Sequence, residues 1–252
     1  MKSGIGGPPR AVYTALIGNY DQLSPIKFRS SIKFVVFTDN SALSVRGWEK
    51  RDIADLSGLP RGMPNWMINR YLKMHPHVFL PEFEETLYVD ANIQLLRDPA
   101  PLFDVNLSNG DIAIPYHMER GDIRDELNAC LRTGKVGNDD YKSMLLRLRF
   151  YEEQSMPRRH MTENNVIFRR NSPAVRWAMK VWWDEVRQGM PRDQIALPYA
   201  LHKTGIDVVP VRDGPRTSKR FMTIRPHWPV GKKKNLRYYA RLISALRHRS
   251  EA

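Results

Sequence analysis

Three apolar runs, each stopping at small polar residues, constrain this chain more than any other feature. Ala11-Val12-Tyr13-Thr14-Ala15-Leu16-Ile17 closes at Gly18-Asn19-Tyr20-Asp21, Ile32 to Phe37 closes at Thr38-Asp39-Asn40, and Thr86-Leu87-Tyr88-Val89 runs into Asp90-Ala91-Asn92. Short apolar runs rich in β-formers and bounded by turn residues read as buried strands. Strand ends that carry small polar groups are where α/β sheets bind ligands. Between and after them the period changes to that of helices. Asn65 to Met74 places Trp66, Asn69, Arg70 and Lys73 at three- and four-residue spacing, with Pro76 just beyond its end. Asp139 to Gln154 reads as a helix with Met144, Leu145, Leu148 and Tyr151 on one face, and Pro173 to Gln188 as a helix that starts at proline and stops at Gly189. Asp111 to Pro115, Asn165 to Phe168 and Asp207 to Val211 read as further strands. The alternation predicts an α/β fold with a mainly parallel sheet flanked by helices, in one domain. The divisions expected are a leader over 1–10, a domain over 11–231 and a tail over 232–252.

Charge separates the tail from the rest. The chain has 252 residues and a formal net charge of +13. From Arg216 onward eleven basic residues face a single acid, Glu251, a surplus of +10 that leaves +3 for the first 215 residues. A nearly neutral body argues against a nucleic-acid coat. After Lys232-Lys233-Lys234, the stretch Asn235 to Arg249 puts Leu236, Tyr238, Tyr239, Leu242, Ile243 and Leu246 on one helical side and Arg237, Arg241, Ser244, Arg247 and His248 on the other. Such a basic amphipathic helix suits an anionic membrane surface, and equally suits docking on the domain's own apolar surface. The lone Cys130, the lack of an apolar run of ~20 residues and a leader without an apolar core point to a cytoplasmic protein, peripheral on the inner membrane face.

Asp90 is the most informative position for chemistry. A carboxylate just after a buried strand, two residues before the amide oxygen of Asn92, is suited to a hard divalent cation; Asp and Asn also end strands by forming side-chain turns. Asp193-Gln194 opens the apolar stretch Ile195 to Leu201, where Asp193 is well suited to cap a helix. Trp182 and Trp183 read as core, in company with Trp177, Ala178, Val181 and Val186.

Taken in order, Tyr13 to Asp21, Phe37-Thr38-Asp39, Arg70-x-x-Lys73, Leu87 to Ile93 and Arg192-Asp193-Gln194 resemble nucleotide-sugar glycosyltransferases of the GT-A fold. The resemblance is to the glycosyltransferase-like domain family, formerly of unknown function, that includes plant Golgi proteins of mucilage and cell-wall synthesis, and more distantly to the glycogenin-like retaining enzymes. It spans roughly residues 11 to 211. The resemblance implies that Gly18, Asn19, Tyr20 and Asp39 line the nucleotide pocket and that Arg70 and Lys73 face the donor diphosphate or sugar. It implies that Asp90 and Asn92 replace the Asp-x-Asp element holding Mn²⁺ or Mg²⁺, with His227 in Arg225-Pro226-His227 to Lys232 as third ligand and Lys232 on the donor. Asn92 departs from the family pattern, since a neutral ligand attracts a cation less. By the same resemblance Asp193 and Gln194 stand at the sugar end, with Asp193 holding donor hydroxyls or acting as base; Glu163 and Asn165 contact donor or acceptor, and His117 with Arg120 is a further contact. The implied activity is metal-assisted transfer of a sugar from a nucleotide-diphosphate sugar to a glycan or lipid-linked acceptor. The rival readings are a GT-A-fold protein without activity that binds or scaffolds glycans, and a nucleic-acid binder acting through the tail.

Overall fold

The computed structural model describes residues 7–156 and 160–227. Its main sheet has seven strands: β1 (Arg10–Leu16), β2 (Lys33–Thr38), β3 (Glu49–Asp52), β4 (Glu85–Val89), β6 (Ile112–Ile114), β7 (Val166–Arg170) and β8 (Val209–Pro210), in the order β3-β2-β1-β4-β7-β6-β8. β5 (Ile93–Leu95) and β9 (Met222–Ile224) form a separate antiparallel ribbon. Strands β1, β2, β3 and β4 are mutually parallel, and β8 is parallel to β6. Only β7 runs the other way, antiparallel to β4 and to β6. The expected α/β architecture, a mixed and mainly parallel sheet flanked by helices, is met.

Alternation along the strands builds two cores. Tyr13, Val35, Tyr88 and Ile167 point to one face, Val12, Phe34, Leu87 and Phe168 to the other, and all are buried. A sheet covered on both sides requires this. The first face packs against α1 (Asn65–Met74), α2 (Pro76–Phe79), α4 (Ile123–Arg132), α5 (Asn138–Glu153), α6 (Pro173–Arg187) and α7 (Asp193–Thr204); the second packs against α3 (Ala100–Asn106) through Leu102 and Phe103. Ser172 caps α6 by accepting from the Val175 N–H, and Pro173 takes the first helical position, where a missing N–H costs nothing. Trp182 and Trp183 are buried as expected, but Trp177 is half exposed with Lys180 over its ring, because it lies on the solvent side of α6.

Two elements position the site. At the carboxyl end of β4, the Asp90 N–H donates to the Asn165 carbonyl at 2.9 Å, so the reversed strand β7 starts where β4 stops and brings Glu163 to Asn165 to that end of the sheet. On α1, Leu72 and Met74 are buried while Trp66, Asn69 and Arg70 look outward over the same end. Among the described residues no helix is long and apolar enough to cross a membrane. The basic amphipathic segment and Lys232 lie outside the described residues.

Candidate active site

A cleft of about 1450 Å³ opens above the carboxyl ends of β1 and β4. Seven Lys and Arg side chains line it against four Asp and Glu, so an anionic ligand meets a net positive wall. At its floor, Lys73 reaches from α1 to α7: its Nζ stands 2.9 Å from Asp193 Oδ2, 3.9 Å from Asp90 Oδ1 and 5.0 Å above the Tyr88 ring. Arg70, one turn earlier and stacked 4.8 Å over Trp66, places its Nε 3.5 Å from Asp193 Oδ1. Burial would push the Asp193 carboxyl up, but Lys73 and Arg70 outweigh it and hold the group well below the usual carboxylate range. Asp193 is therefore firmly ionised and a weak base.

Asp193 does not cap its helix. Arg192 is the cap residue, without a side-chain cap bond, and Asp193 is the first residue of α7. The two cations across the cleft take its carboxylate instead, while its carbonyl accepts from Trp182 Nε1 at 2.7 Å and Asn164 Nδ2 at 3.4 Å. Asp90 accepts a hydrogen bond from the Tyr88 hydroxyl at 2.8 Å and is about one-third exposed to the cleft. Glu163, nearly buried, is paired to Arg216 at 2.8 Å, and Asn165 holds a buried Oδ1 without a partner among the described residues. Gln194 and His117 also line the cleft; burial lowers the His117 imidazole from its usual range.

The loop after β1 works partly by backbone geometry. Gly18 has φ +72°, and its N–H is held by both Asp39 oxygens at 2.9 and 3.0 Å. A Cβ there would come 2.4 Å from Asn65 Nδ2. Gly18 and Tyr20 line the cleft; Asp39 and Asn19 do not, since Asp39 is spent on the Gly18 N–H and Asn19 accepts from Asn40 at 3.0 Å.

Of the three expected metal ligands, Asp90 and His227 share the cleft wall, near enough for the Asp90 charge to help raise the imidazole, but Asn92 turns away. Asn92 is buried, absent from the cleft wall, and donates its amide to the Arg225 carbonyl at 3.1 Å, which ties β5 to β9. His227 lines the cleft, but its Nδ1 stands 2.7 Å from Asp21 Oδ2, and that hydrogen bond raises the imidazole's pKa toward the charged form. Beside Asp90 stands the Lys73 ammonium, a charge of the same sign as any metal. Among the described residues no three His, Cys, Asp or Glu side chains form a group able to hold an ion. A hard divalent cation needs several oxygen ligands, and this donor set does not fit one.

Sequence reasoning missed Lys135, Arg216 and Lys219 on the wall and gave Arg192 no role of its own. Arg192 was flagged only by its place before Asp193-Gln194. Arg216 and Lys219 were counted with the tail because nothing local separates them from it. Lys135, between α4 and α5, has no sequence signal.

A family model, the TOD1/MUCI70 glycosyltransferase-like domain, matches residues 65–211, which include Arg70, Lys73, Asp90, Glu163 and Asp193. No curated protein sequence matches the chain significantly. Similar solved structures include mouse xyloside xylosyltransferase 1 in its apo form, at 11% identity over 79% of this chain and 84% of that one, with a TM-score of 0.47. The apo bifunctional glycosyltransferase WbbM is 10% identical over 82% of this chain but 39% of its own, with a TM-score of 0.46. Galactosyltransferase LgtC, in complex with donor and acceptor sugar analogues, is 15% identical over 79% of this chain and 72% of that one, with a TM-score of 0.41.

Proposed function

The chain belongs to the TOD1/MUCI70 glycosyltransferase-like domain family, and from that premise we propose that it transfers a sugar from a nucleotide-diphosphate sugar to a glycan or lipid-linked acceptor. The observation that carries the reading is the meeting of Lys73, Arg70, Asp193 and Asp90 from three separate elements at the floor of one positive cleft. In this reading the bond between the anomeric carbon and a phosphate oxygen breaks, a bond to the acceptor oxygen forms, and the nucleoside diphosphate departs against Lys73, Arg70 and Arg192. Cations fixed before the reaction stabilise charge as it develops on the leaving group. Because Asp193 is a weak base, its part is to hold Lys73 and Arg70 and to accept from sugar hydroxyls. The acceptor proton then falls to Asp90 or Glu163. The expected Mn²⁺ or Mg²⁺ has no step in this scheme, since the ligand set does not fit it.

Titration with a panel of nucleoside diphosphates, followed by turnover with the matching sugar donors, tests the proposal. Asp90→Ala is expected to cut turnover by about 100-fold or more while the protein stays folded; full activity in that variant overturns the site assignment. Binding of a nucleoside diphosphate with no turnover of any donor supports a glycan-binding or scaffolding role instead. A lipid-linked acceptor would bring the protein to the cytoplasmic membrane face through 232–249. Full-length protein is then expected to sediment with anionic vesicles better than a 1–231 truncation, and equal sedimentation removes that part of the reading.

A further inference from the structure

One large aromatic side chain on the cleft wall has no part in the proposed transfer. Trp66, in the first turn of α1, is 43% exposed and lines the cleft. Exposure alone does not mark a site, since Trp177 is 49% exposed on the solvent side of α6. Trp66 differs in its company. Trp66, Arg70 and Lys73 stand at i, i+4 and i+7 of one helix, a spacing that sets them in a single stripe along one face. The stripe runs aromatic ring, cation, cation. Its ends lie about 10 Å apart along the helix axis, at 1.5 Å per residue.

Both ends of the stripe are fixed. At the cation end, Lys73 and Arg70 share the Asp193 carboxylate at 2.9 and 3.5 Å. The Arg70 guanidinium also lies 4.8 Å over the Trp66 ring, where it sets the plane of the ring without sealing the side chain from the cleft. At the aromatic end, Asn65 stands directly beside Gly18, and Tyr20 of the same loop lines the wall. Asp39, the residue expected on the base or ribose, is turned to the Gly18 N–H and does not line the cleft. A nucleoside diphosphate has the same order of chemistry as the stripe: a flat aromatic base at one end and two phosphates at the other, joined by a ribose. We propose that Trp66 is the nucleobase platform, with the base stacked on the open part of its ring, the diphosphate along Arg70 and Lys73, and the sugar toward Asp193. A neutral acceptor sugar also stacks on tryptophan through its apolar face, but it brings nothing for the two cations of the same stripe. The proposal rests on the reading of the cleft as a nucleotide-sugar site and adds to it the residue that faces the base.

Calorimetry on the full chain tests it, with the tightest binder among uridine, guanosine, adenosine, cytidine and thymidine diphosphates and with inorganic pyrophosphate, which has no base. Trp66→Ala should weaken the nucleotide by about tenfold, the scale of base–aromatic stacking, and leave pyrophosphate within about twofold. Trp66→Phe, which keeps a ring, should recover most of the loss. Stacking should also quench tryptophan emission during the titration, and that quench should shrink in Trp66→Phe although the nucleotide still binds. Equal losses for nucleotide and pyrophosphate would mean that Trp66 only steadies Arg70, and overturn the proposal. Unchanged nucleotide affinity in Trp66→Ala, with turnover intact, overturns it too and leaves the transferase reading standing. Failure of the natural protein to bind any of the five nucleotides overturns both. Because Trp66 is exposed, both variants should melt within about 3 °C of the natural protein.

Discussion

At the carboxyl ends of β1 and β4 the buried Lys73 ammonium stands 2.9 Å from Asp193, whereas at the opposite rim the buried Arg169 guanidinium has no carboxylate partner among the described residues. The histidines follow the same division. Burial drives His75, close to Arg169, down to about 4, while Asp21 raises His227 at the cleft. The difference teaches how a fold handles charge it keeps dry. At the cleft, fixed carboxylates hold the cation and orient it. Arg169, without such a partner, is left with a hydroxyl and a thioether sulfur.

Removing the carboxylate from the cleft should make its floor resemble the far rim. In Asp193→Asn, Lys73 and Arg70 lose their common partner, and breaking a buried pair in this way should lower stability by about 4 kcal/mol. Urea unfolding measures it; a midpoint equal to that of the unaltered protein would mean the two regions do not differ as described.

Acid probes the other region. The His75 pKa is lowered on folding, from an ordinary value near 6.5 to about 4, so the folded state favours the neutral ring. Its contribution is complete above about pH 6.5 and is lost as pH falls toward 4, because the unfolded chain takes up the proton first; the loss amounts to about 3 kcal/mol. His227 has the opposite sign: its raised pKa contributes below the ordinary value and the contribution fades as pH rises through the folded one, weakly, since its side chain is mostly exposed. Unfolding at pH 7 and pH 4.5 should therefore show a steep loss in the natural protein and a shallower one in His75→Phe. Parallel losses would remove His75 as the cause.

The smallest expected effect concerns chelation. With Lys73 beside Asp90 and Asn92 turned to Arg225, EDTA should change nucleoside diphosphate affinity by less than about twofold, because protein cations rather than a metal would face the phosphates. A tenfold or larger gain on adding Mn²⁺, measured by calorimetry, would show that the ligands rearrange around an ion and would erase the contrast in charge handling at that end.

Much of the fold was legible. The helix read over Asn65 to Met74 has those bounds, and the three early strands are found within a residue or two of where the apolar runs put them. Such runs are local signals, and local packing on a sheet obeys them. Strand β3 escaped because Glu49-Lys50-Arg51-Asp52 has no apolar residue; it is an edge strand, which charge protects from further pairing. α4 did leave a signal, Asp122 capping the Asp125 N–H ahead of buried Ile123, Leu127 and Cys130, which the reading passed over. β5 and β9 are three residues each and pair across more than a hundred positions, beyond what a short window contains.

The same division governs the site. Strand ends bearing Gly18, Asp39 and Asp90, and a helical face bearing Arg70 and Lys73, follow from the sequence alone because turn chemistry and a 3.6-residue period are set by near neighbours. Which charges meet does not. Lys73 and Asp193 are 120 positions apart, Asp21 and His227 are 206 apart, and Asn92 faces Arg225 rather than the cleft. Those choices, like the reversal of β7 that brings Glu163 and Asn165 beside Asp90, belong to the tertiary structure, since a charged side chain is paired by whatever the folded backbone places within reach.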